Sequence, residues 1–98
     1  MTITKEQNGS ALTVFLEGRL DTTTAPELEA EFTTALNGVD DLTIDFEKLE
    51  YISSAGLRVI LATQKTMNKQ GKMKITHVSD DIMEVFEITG FCDILTIE

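Results

Sequence analysis

Strand-like and helix-like hydrophobic patterns alternate along this chain, and that alternation limits the folds it can adopt. The first strand pattern breaks at Asn8-Gly9, the dipeptide best suited to the positive φ angles of a tight hairpin turn. Strand and helix patterns then follow one another to the end of the chain. A helix that connects two strands of the same sheet usually makes those strands parallel. The sequence therefore predicts an α/β fold whose mixed, mostly parallel sheet begins with an antiparallel hairpin.

The individual elements follow from periodicity and from the residues that end helices and strands. The hairpin is predicted over residues 2–18, and its second strand is expected to lie inside the sheet because both of its faces carry apolar residues. The charged residues 47–50 are expected to form a loop. The later strands are predicted at residues 42–46, 73–78 and 94–97. Three main helices are predicted at residues 24–36, 54–70 and about 79–89.

Capping residues mark the predicted helix ends. Thr24 and Glu27 have the spacing of a capping box, in which each side chain bonds the backbone N–H of the other residue. Ser53 is expected to be the N-cap of the second helix. Gly71 and Gly90 are expected to close the second and third helices.

Length and charge restrict the function. The 98 residues fit one domain, residues 1–98, and a hydrophobic fraction of 42% is enough to form a core. The 17 acidic and 8 basic residues give a net charge of −9, which disfavours binding to nucleic acid or to anionic membranes. A basic protein surface is therefore the expected partner.

The sequence also disfavours several kinds of site and location. No apolar run is long enough for a membrane-spanning helix, and the first residues lack the pattern of a signal peptide, so we expect no membrane insertion and a cytoplasmic protein. The single cysteine, Cys92, has no partner at metal-ligand spacing, and we expect it to be a small buried hydrophobe. No cofactor and no metal is expected.

The segment YISSAGLR places two serines at the predicted start of the second helix. Ser53 is accounted for as the N-cap, whereas Ser54 is not needed for capping, and its two small neighbours leave it open to the active site of another molecule. A nucleophilic serine needs a base, but the single histidine, His77, is expected to be structural at the end of a strand. No nucleotide-binding motif is present, so any phosphoryl donor must arrive on another protein.

Three segments of the chain resemble the STAS domain of bacterial anti-sigma factor antagonists. In order, these segments are VFLEGRLDTTTAPEL, LTIDFEKLEYISSAGLRVILATQK and VFEITGFCDILTI. The resemblance implies a non-enzymatic protein that binds an anti-sigma factor serine kinase and is inactivated when that kinase phosphorylates a serine at this helix start. It also implies that a PP2C-type serine phosphatase reverses the modification. We expect the free protein to be a monomer.

The resemblance also implies roles for particular residues. Many family members have Asp-Ser-Ser-Gly or Asp-Ser-Thr-Gly where this chain has Ser-Ser-Ala-Gly, so Ser54 aligns with the phosphorylated serine and Ser53 remains the alternative. Asp21 matches the acidic loop residue that lies near the phosphorylation site in the family. Asp21 either acts on the serine and its phosphate or simply ends a strand.

One side of the second helix offers a further contact surface. Arg58, Val59 and Ala62 are expected to point away from the sheet, where they either touch a neighbouring helix or extend a surface that faces the kinase. The predicted partner-binding residues are Asp21, Thr22, Ser53, Ser54, Ala55, Gly56, Arg58, Val59 and Ala62.

Two other functions compete with this one. In the first alternative, the chain is a scaffolding STAS subunit that resembles the small component of lipid-transport ABC complexes. Such a subunit needs no phosphoserine. A serine hydrolase would instead require turnover that depends on Ser54 and His77, and we rank it last. The sequence names neither the kinase nor its downstream target.

Overall fold

The computed structural model describes residues 1–98 as a four-stranded sheet with three α-helices. In chain order, the elements are β1 (Thr2–Asn8), β2 (Ala11–Leu20), α1 (Ala25–Ala35), β3 (Asp41–Ile52), α2 (Ser54–Gln70), β4 (Lys72–Thr76) and α3 (Asp80–Thr89). The strands lie in the order β1-β2-β3-β4, with β1 antiparallel to β2 and the other neighbours parallel. The predicted α/β fold, with its antiparallel hairpin and mostly parallel sheet, is confirmed.

The core forms because alternate strand residues and one stripe of each helix are apolar. Along β2, Leu12 and Val14 are buried, whereas Phe15 on the opposite face is half-buried. In α1, the predicted stripe is buried through Leu28 and Phe32. One cluster of 23 buried hydrophobic side chains contains the buried residues of β2 and α1, and it joins β2, β3 and β4 to all three helices.

β3 is longer than the sequence predicts. Residues 47–50, which we predicted to be a loop, continue the strand to Ile52. Ala11 pairs with Asp41, whereas Arg19 pairs with Tyr51, so β3 has two more residues than β2 over this stretch. The extra residues are accommodated as β-bulges, which let charged side chains stay exposed without ending the strand.

The last part of the chain is less regular than predicted. β4 ends at Thr76 rather than at Val78, because His77 takes a φ of 56° that an extended strand does not contain. The predicted last strand is reduced to a single parallel bridge between Ile75 and Ile97. This bridge still attaches the C-terminal residues to the edge of the sheet.

Cys92 is exposed, so the prediction that it is a buried hydrophobe is wrong. The chain after α3 forms a short 3-10 turn, Phe91–Asp93, in which Phe91 stacks on Phe86 with ring centroids 6.4 Å apart. Because Phe91 provides the inward contact of this turn, Cys92 is left outside. Its Sγ lies 3.9 Å from the Sδ of Met83.

Two further findings concern membranes and metals. No helix combines the length and the apolar character that crossing a bilayer requires. No group of three or more His, Cys, Asp or Glu side chains is arranged to hold a metal ion. Two of the four methionines, Met67 and Met73, are buried in the core.

Gln64 is a buried polar residue whose side chain is only partly hydrogen-bonded. Its Nε2 donates to Asn68 Oδ1 at 2.8 Å, but its buried Oε1 accepts no hydrogen bond. A buried acceptor without a partner costs about 1–3 kcal/mol. We therefore expect Gln64→Met, which keeps a similar shape, to leave the free energy of unfolding unchanged or to raise it by about 1 kcal/mol, as measured by chemical denaturation.

Gln70 provides the matched control for this prediction. Its Nε2 donates to the backbone carbonyls of Leu36 and Val39, so it ties the end of α2 to the connection between α1 and β3. The Gln70→Met variant should lose about 1 kcal/mol. If Gln64→Met lost as much stability as Gln70→Met, the interpretation of Gln64 as an unfavourable buried amide would be wrong.

Candidate phosphorylation and docking site

The candidate site lies where β2 and β3 end side by side. Leu20 and Ile52 are register partners at the carboxyl ends of these parallel strands, and the Ser53 N–H donates to the Leu20 carbonyl at 2.9 Å. At this edge, β2 is followed by a loop that begins with Asp21, and β3 is followed by α2, which begins at Ser54. Parallel α/β sheets commonly place their functional groups at this edge. The fold thus brings the predicted acidic loop and both serines to one end of the sheet.

Ser53 and Ser54 are used differently by the protein itself. Ser53 is the N-cap of α2, and its Oγ accepts a hydrogen bond from the Gly56 N–H at 3.3 Å, which confirms the predicted cap. Ser54 is the first residue of the helix, is exposed, and makes no side-chain hydrogen bond. The Ser54 hydroxyl is therefore the one available to another molecule.

Gly56 is buried against the sheet instead of lining an open space in front of the serine. A Cβ at this position would lie 2.7 Å from Leu20 Cγ and 3.0 Å from both Ile52 Cγ1 and the Leu20 carbonyl oxygen. The missing side chain lets α2 start directly on the ends of β2 and β3. The prediction that Gly56 opens the site is therefore wrong, because this glycine positions Ser54 from the inner side. Ala55 is half-buried beside it.

Asp21 organises the loop that precedes α1. Its Oδ1 accepts hydrogen bonds from the Thr23 hydroxyl at 2.7 Å, the Thr23 N–H at 3.0 Å and the Thr24 N–H at 3.2 Å. The bond from the Thr23 hydroxyl is the main reason that the pKa of the Asp21 carboxyl lies below its usual value; desolvation opposes this shift, and the backbone bonds add to it. Asp21 makes no hydrogen bond to Ser53 or Ser54, so its action on the serine stays a prediction.

The capping box predicted for Thr24 and Glu27 does not form. Thr24 is the N-cap residue of α1, but its Oγ1 donates to the Arg19 carbonyl at 2.8 Å and accepts from the Asp21 N–H at 2.8 Å. Because this hydroxyl closes the loop onto β2, it is not available to the N–H groups of the helix. Thr22, a predicted partner-binding residue, is exposed in the same loop.

The lowered pKa of Asp21 predicts an effect of acid on stability. A carboxyl group whose pKa is lower in the folded than in the unfolded state stabilises the protein above the unfolded value, and this contribution is lost as the pH falls through the folded value. Between about pH 5 and 2, the free energy of unfolding should therefore fall less steeply for Asp21→Asn than for the unchanged protein. Urea denaturation at a series of pH values measures this difference.

Glu87 provides the control for the acid experiment. It is an exposed carboxyl group in α3 whose side chain makes no hydrogen bond. The Glu87→Gln variant should keep the acid dependence of the unchanged protein. Equal slopes for Asp21→Asn and the unchanged protein would show that the hydrogen bonds of the loop do not stabilise the ionised form.

Arg19 and Tyr51 lie at the rim of this site, and sequence reasoning missed them. They are register partners in β2 and β3, and the guanidinium carbon of Arg19 lies 4.2 Å from the centroid of the Tyr51 ring. The Nε of Arg19 also lies 3.8 Å from Asp21 Oδ2. Spacing along the sequence does not reveal this pair, because the bulges of β3 decide which residue lies opposite Arg19.

The predicted contact surface on α2 divides into an exposed and a buried part. Arg58 and Ala62 are exposed and follow Ser54 by one and two turns, so the three residues form a continuous line. Val59 is only 6% exposed, and it lines the groove between α1 and α2 together with Phe32. Val59 therefore contributes little exposed surface to this side of α2. Of the two alternatives given for Val59, the structure confirms contact with a neighbouring helix.

His77 is held by Asp45 and not by the serines. The His77 Nδ1 lies 2.8 Å from Asp45 Oδ2, and the other Asp45 oxygen accepts from the Glu47 N–H at 2.8 Å. This contact holds the turn after β4 against β3. No hydrogen bond joins His77 to Ser54, so His77 is not positioned as a base for this serine.

Comparison with known proteins identifies the family. The STAS domain model matches residues 2–98, which is nearly the whole chain. The chain therefore belongs to the STAS domain family, as the sequence resemblance predicted.

Two curated relatives have names that concern anti-sigma factors. BtrV of Bordetella bronchiseptica, provisionally named an anti-sigma factor antagonist, is 34% identical in an alignment 99 positions long, which covers 99% of this chain and 85% of BtrV. The anti-sigma-B factor antagonist of Staphylococcus aureus is 39% identical over 80 residues that cover 80% of this chain and 74% of that protein. Both matches extend over most of each protein.

Two solved structures show the same fold. The anti-sigma factor antagonist SpoIIAA in its unphosphorylated form matches with a TM-score of 0.78 and 19% identity, over 99% of this chain and 87% of that chain. SpoIIAA from Bacillus in its phosphorylated form matches with a TM-score of 0.77 and 20% identity, over 99% of this chain and 91% of that chain. At these identities the matches concern the fold alone.

Proposed function

We propose that this chain is an anti-sigma factor antagonist that acts by partner switching. The unphosphorylated protein binds an anti-sigma factor serine kinase and frees the target of that kinase. Phosphorylation of Ser54, or of Ser53 as the alternative, ends this binding, and a PP2C-type serine phosphatase restores it. The chain is a ligand and substrate of the kinase rather than an enzyme, and it is a monomer when free.

The observation that carries the proposal is the exposed Ser54 hydroxyl at the first residue of α2, without a hydrogen bond of its own. Ser53 is less suited to modification because its hydroxyl already caps the helix. The names of the two curated relatives support the antagonist function, and SpoIIAA, which shares the fold, has been solved in a phosphorylated form.

The expected effect of the phosphate is on docking and not on the fold. A phosphoserine carries about −1.5 to −2 charges at neutral pH. At the start of α2, the backbone N–H groups and the helix dipole stabilise an anion by about 0.3–1 kcal/mol, so α2 tolerates the group. A partner that covers Ser54 must instead remove water from the phosphate, and a buried charge that the partner does not pair costs a few kcal/mol or more. Phosphorylation therefore weakens binding while the protein stays folded.

The proposal is tested by incubating the protein with ATP and each purified anti-sigma factor serine kinase of the source organism. Peptide mass spectrometry should locate one phosphate on residue 54. The Ser54→Ala variant should not be modified. The matched Ser53→Thr variant keeps an oxygen for the N-cap, so it should still be phosphorylated on Ser54.

Three other outcomes are distinguishable. A phosphate on the substituted residue of the Ser53→Thr variant, with none on Ser54, would move the site to residue 53. If no kinase modifies or binds the protein, the proposed function is wrong. Co-purification with a transporter ATPase, without phosphorylation in cells, would then favour the scaffolding function.

A further inference from the structure

Arg19 is an exposed cation whose side chain is already held in place. Its side chain is 59% exposed, yet the guanidinium lies over the Tyr51 ring at 4.2 Å and its Nε is 3.8 Å from Asp21 Oδ2. Tyr51 is itself 41% exposed, one of three large hydrophobic side chains that the protein leaves at its surface. A side chain ordered before binding loses less conformational freedom when a partner contacts it.

The hydrogen-bonding capacity of Arg19 is unused in the free protein. The 3.8 Å contact with Asp21 is an ion pair beyond hydrogen-bonding distance, and the guanidinium donates no hydrogen bond. Asp21 also directs its Oδ1 to Thr23 and Thr24, so only its Oδ2 faces Arg19. The N–H groups of a guanidinium match the two oxygens of a carboxylate.

The position of this pair makes it continuous with the candidate phosphorylation site. Arg19 and Tyr51 form the register pair next to Leu20 and Ile52, after which the two chains enter the Asp21 loop and the serines. At the usual rise of a strand, Tyr51 and Ser54 are within roughly 10 Å of each other. The side chains of Arg19 and Tyr51 project from the sheet face opposite to Leu20 and Ile52, which lie under α2. The pair is joined to the site by the 3.8 Å contact between Arg19 and Asp21. A partner that covers the Asp21 loop at this edge therefore also reaches Arg19.

We propose that Arg19, held against Tyr51, docks a carboxylate of the anti-sigma factor kinase and thereby fixes the orientation of the complex. This inference rests on the proposed function. The net charge of −9 favours a partner surface that is mostly basic, and Arg19 requires one acidic side chain within that surface. Arg and Tyr are among the residue types that dominate binding energy at interfaces. Complementary charges on the two partners also fix how the partners are aligned in the complex.

The experiment measures the affinity of the purified kinase for a series of variants by calorimetry. Arg19→Glu should weaken binding by about tenfold or more, and this loss should shrink at high salt. Arg19→Lys keeps the charge but not the planar stacking, so it should weaken binding by about threefold. Tyr51→Phe keeps the ring and should bind normally, whereas Tyr51→Leu should lose about threefold.

Lys69→Glu provides the matched control, since it makes the same change of charge on an exposed residue in the last turn of α2. It should alter affinity by less than about threefold. Melting curves check that each variant folds, and a charge-reversed kinase that restores binding of Arg19→Glu would locate the acidic partner residue. If Arg19→Glu bound as well as Lys69→Glu, the docking role would be wrong while the proposed function stood. If the unchanged protein bound no kinase, the proposed function itself would be wrong.

Discussion

The Gly71→Ala variant is expected to lose about 3 kcal/mol of unfolding free energy, because no space exists for a side chain at that position. A Cβ on Gly71 would lie 2.0 Å from the backbone oxygen of Asp40 and 2.5 Å from its carbonyl carbon. The same oxygen accepts the Lys72 N–H at 2.9 Å, so relieving the clash disturbs the start of β4. Chemical denaturation of the variant and of the unchanged protein measures this loss. It is a large part of the free energy of unfolding of a typical domain, which is roughly 5–15 kcal/mol.

Two other substitutions calibrate this result. Gly56→Ala meets mainly side-chain atoms, with the nearest at 2.7 Å, so it should cost less, about 1–2 kcal/mol. Lys69→Ala, on the exposed face of the same helix, should change stability by less than about 0.5 kcal/mol. A Gly71→Ala protein as stable as Lys69→Ala would show that α2 and β4 do not approach the Asp40 carbonyl so closely.

The second large effect is expected on binding: Ser54→Asp should weaken the complex with the kinase by about a hundredfold, which is about 2.7 kcal/mol. The aspartate places a permanent negative charge at the first residue of α2, where a partner must desolvate it. Within the free protein, the same charge is favourable at a helix start, so the melting temperature should stay unchanged or rise slightly. Calorimetric titration and thermal melting separate the two effects.

Ser10→Asp is the matched control for this experiment. Ser10 is exposed in the turn between β1 and β2, at the opposite end of the sheet from Ser54. Its charged variant should bind the kinase normally, and Ser54→Ala should bind within about threefold of the unchanged protein. Equal losses for Ser10→Asp and Ser54→Asp would mean that total charge, and not the start of α2, controls binding.

The parts of the structure that the sequence predicts correctly are those with a local physical cause. Ser53 caps α2 because a serine oxygen reaches an N–H three residues ahead, and Gly90 ends α3 because it adopts a left-handed conformation with a φ of 79°. The hairpin turn at Asn8-Gly9 is equally local, since Gly9 has a φ of 63°. Such features need no knowledge of distant residues.

The failures have non-local causes. The hydroxyl of Thr24 is taken by the Arg19 carbonyl of the preceding strand, and Val59 is buried because α1 packs over it. The contact between Arg19 and Tyr51 depends on two bulges that shift the register of β3. For the site, the sequence therefore predicts which serine is free, but not the neighbours that hold Gly56, Arg19 and the loop in place.

The most direct test of the proposed switch is the affinity of one kinase for the same protein before and after complete phosphorylation of Ser54. We expect the phosphorylated protein to bind about a hundredfold more weakly, with an unchanged circular dichroism spectrum, and to regain its affinity after treatment with a PP2C-type phosphatase. Equal affinities of the two forms would contradict the account.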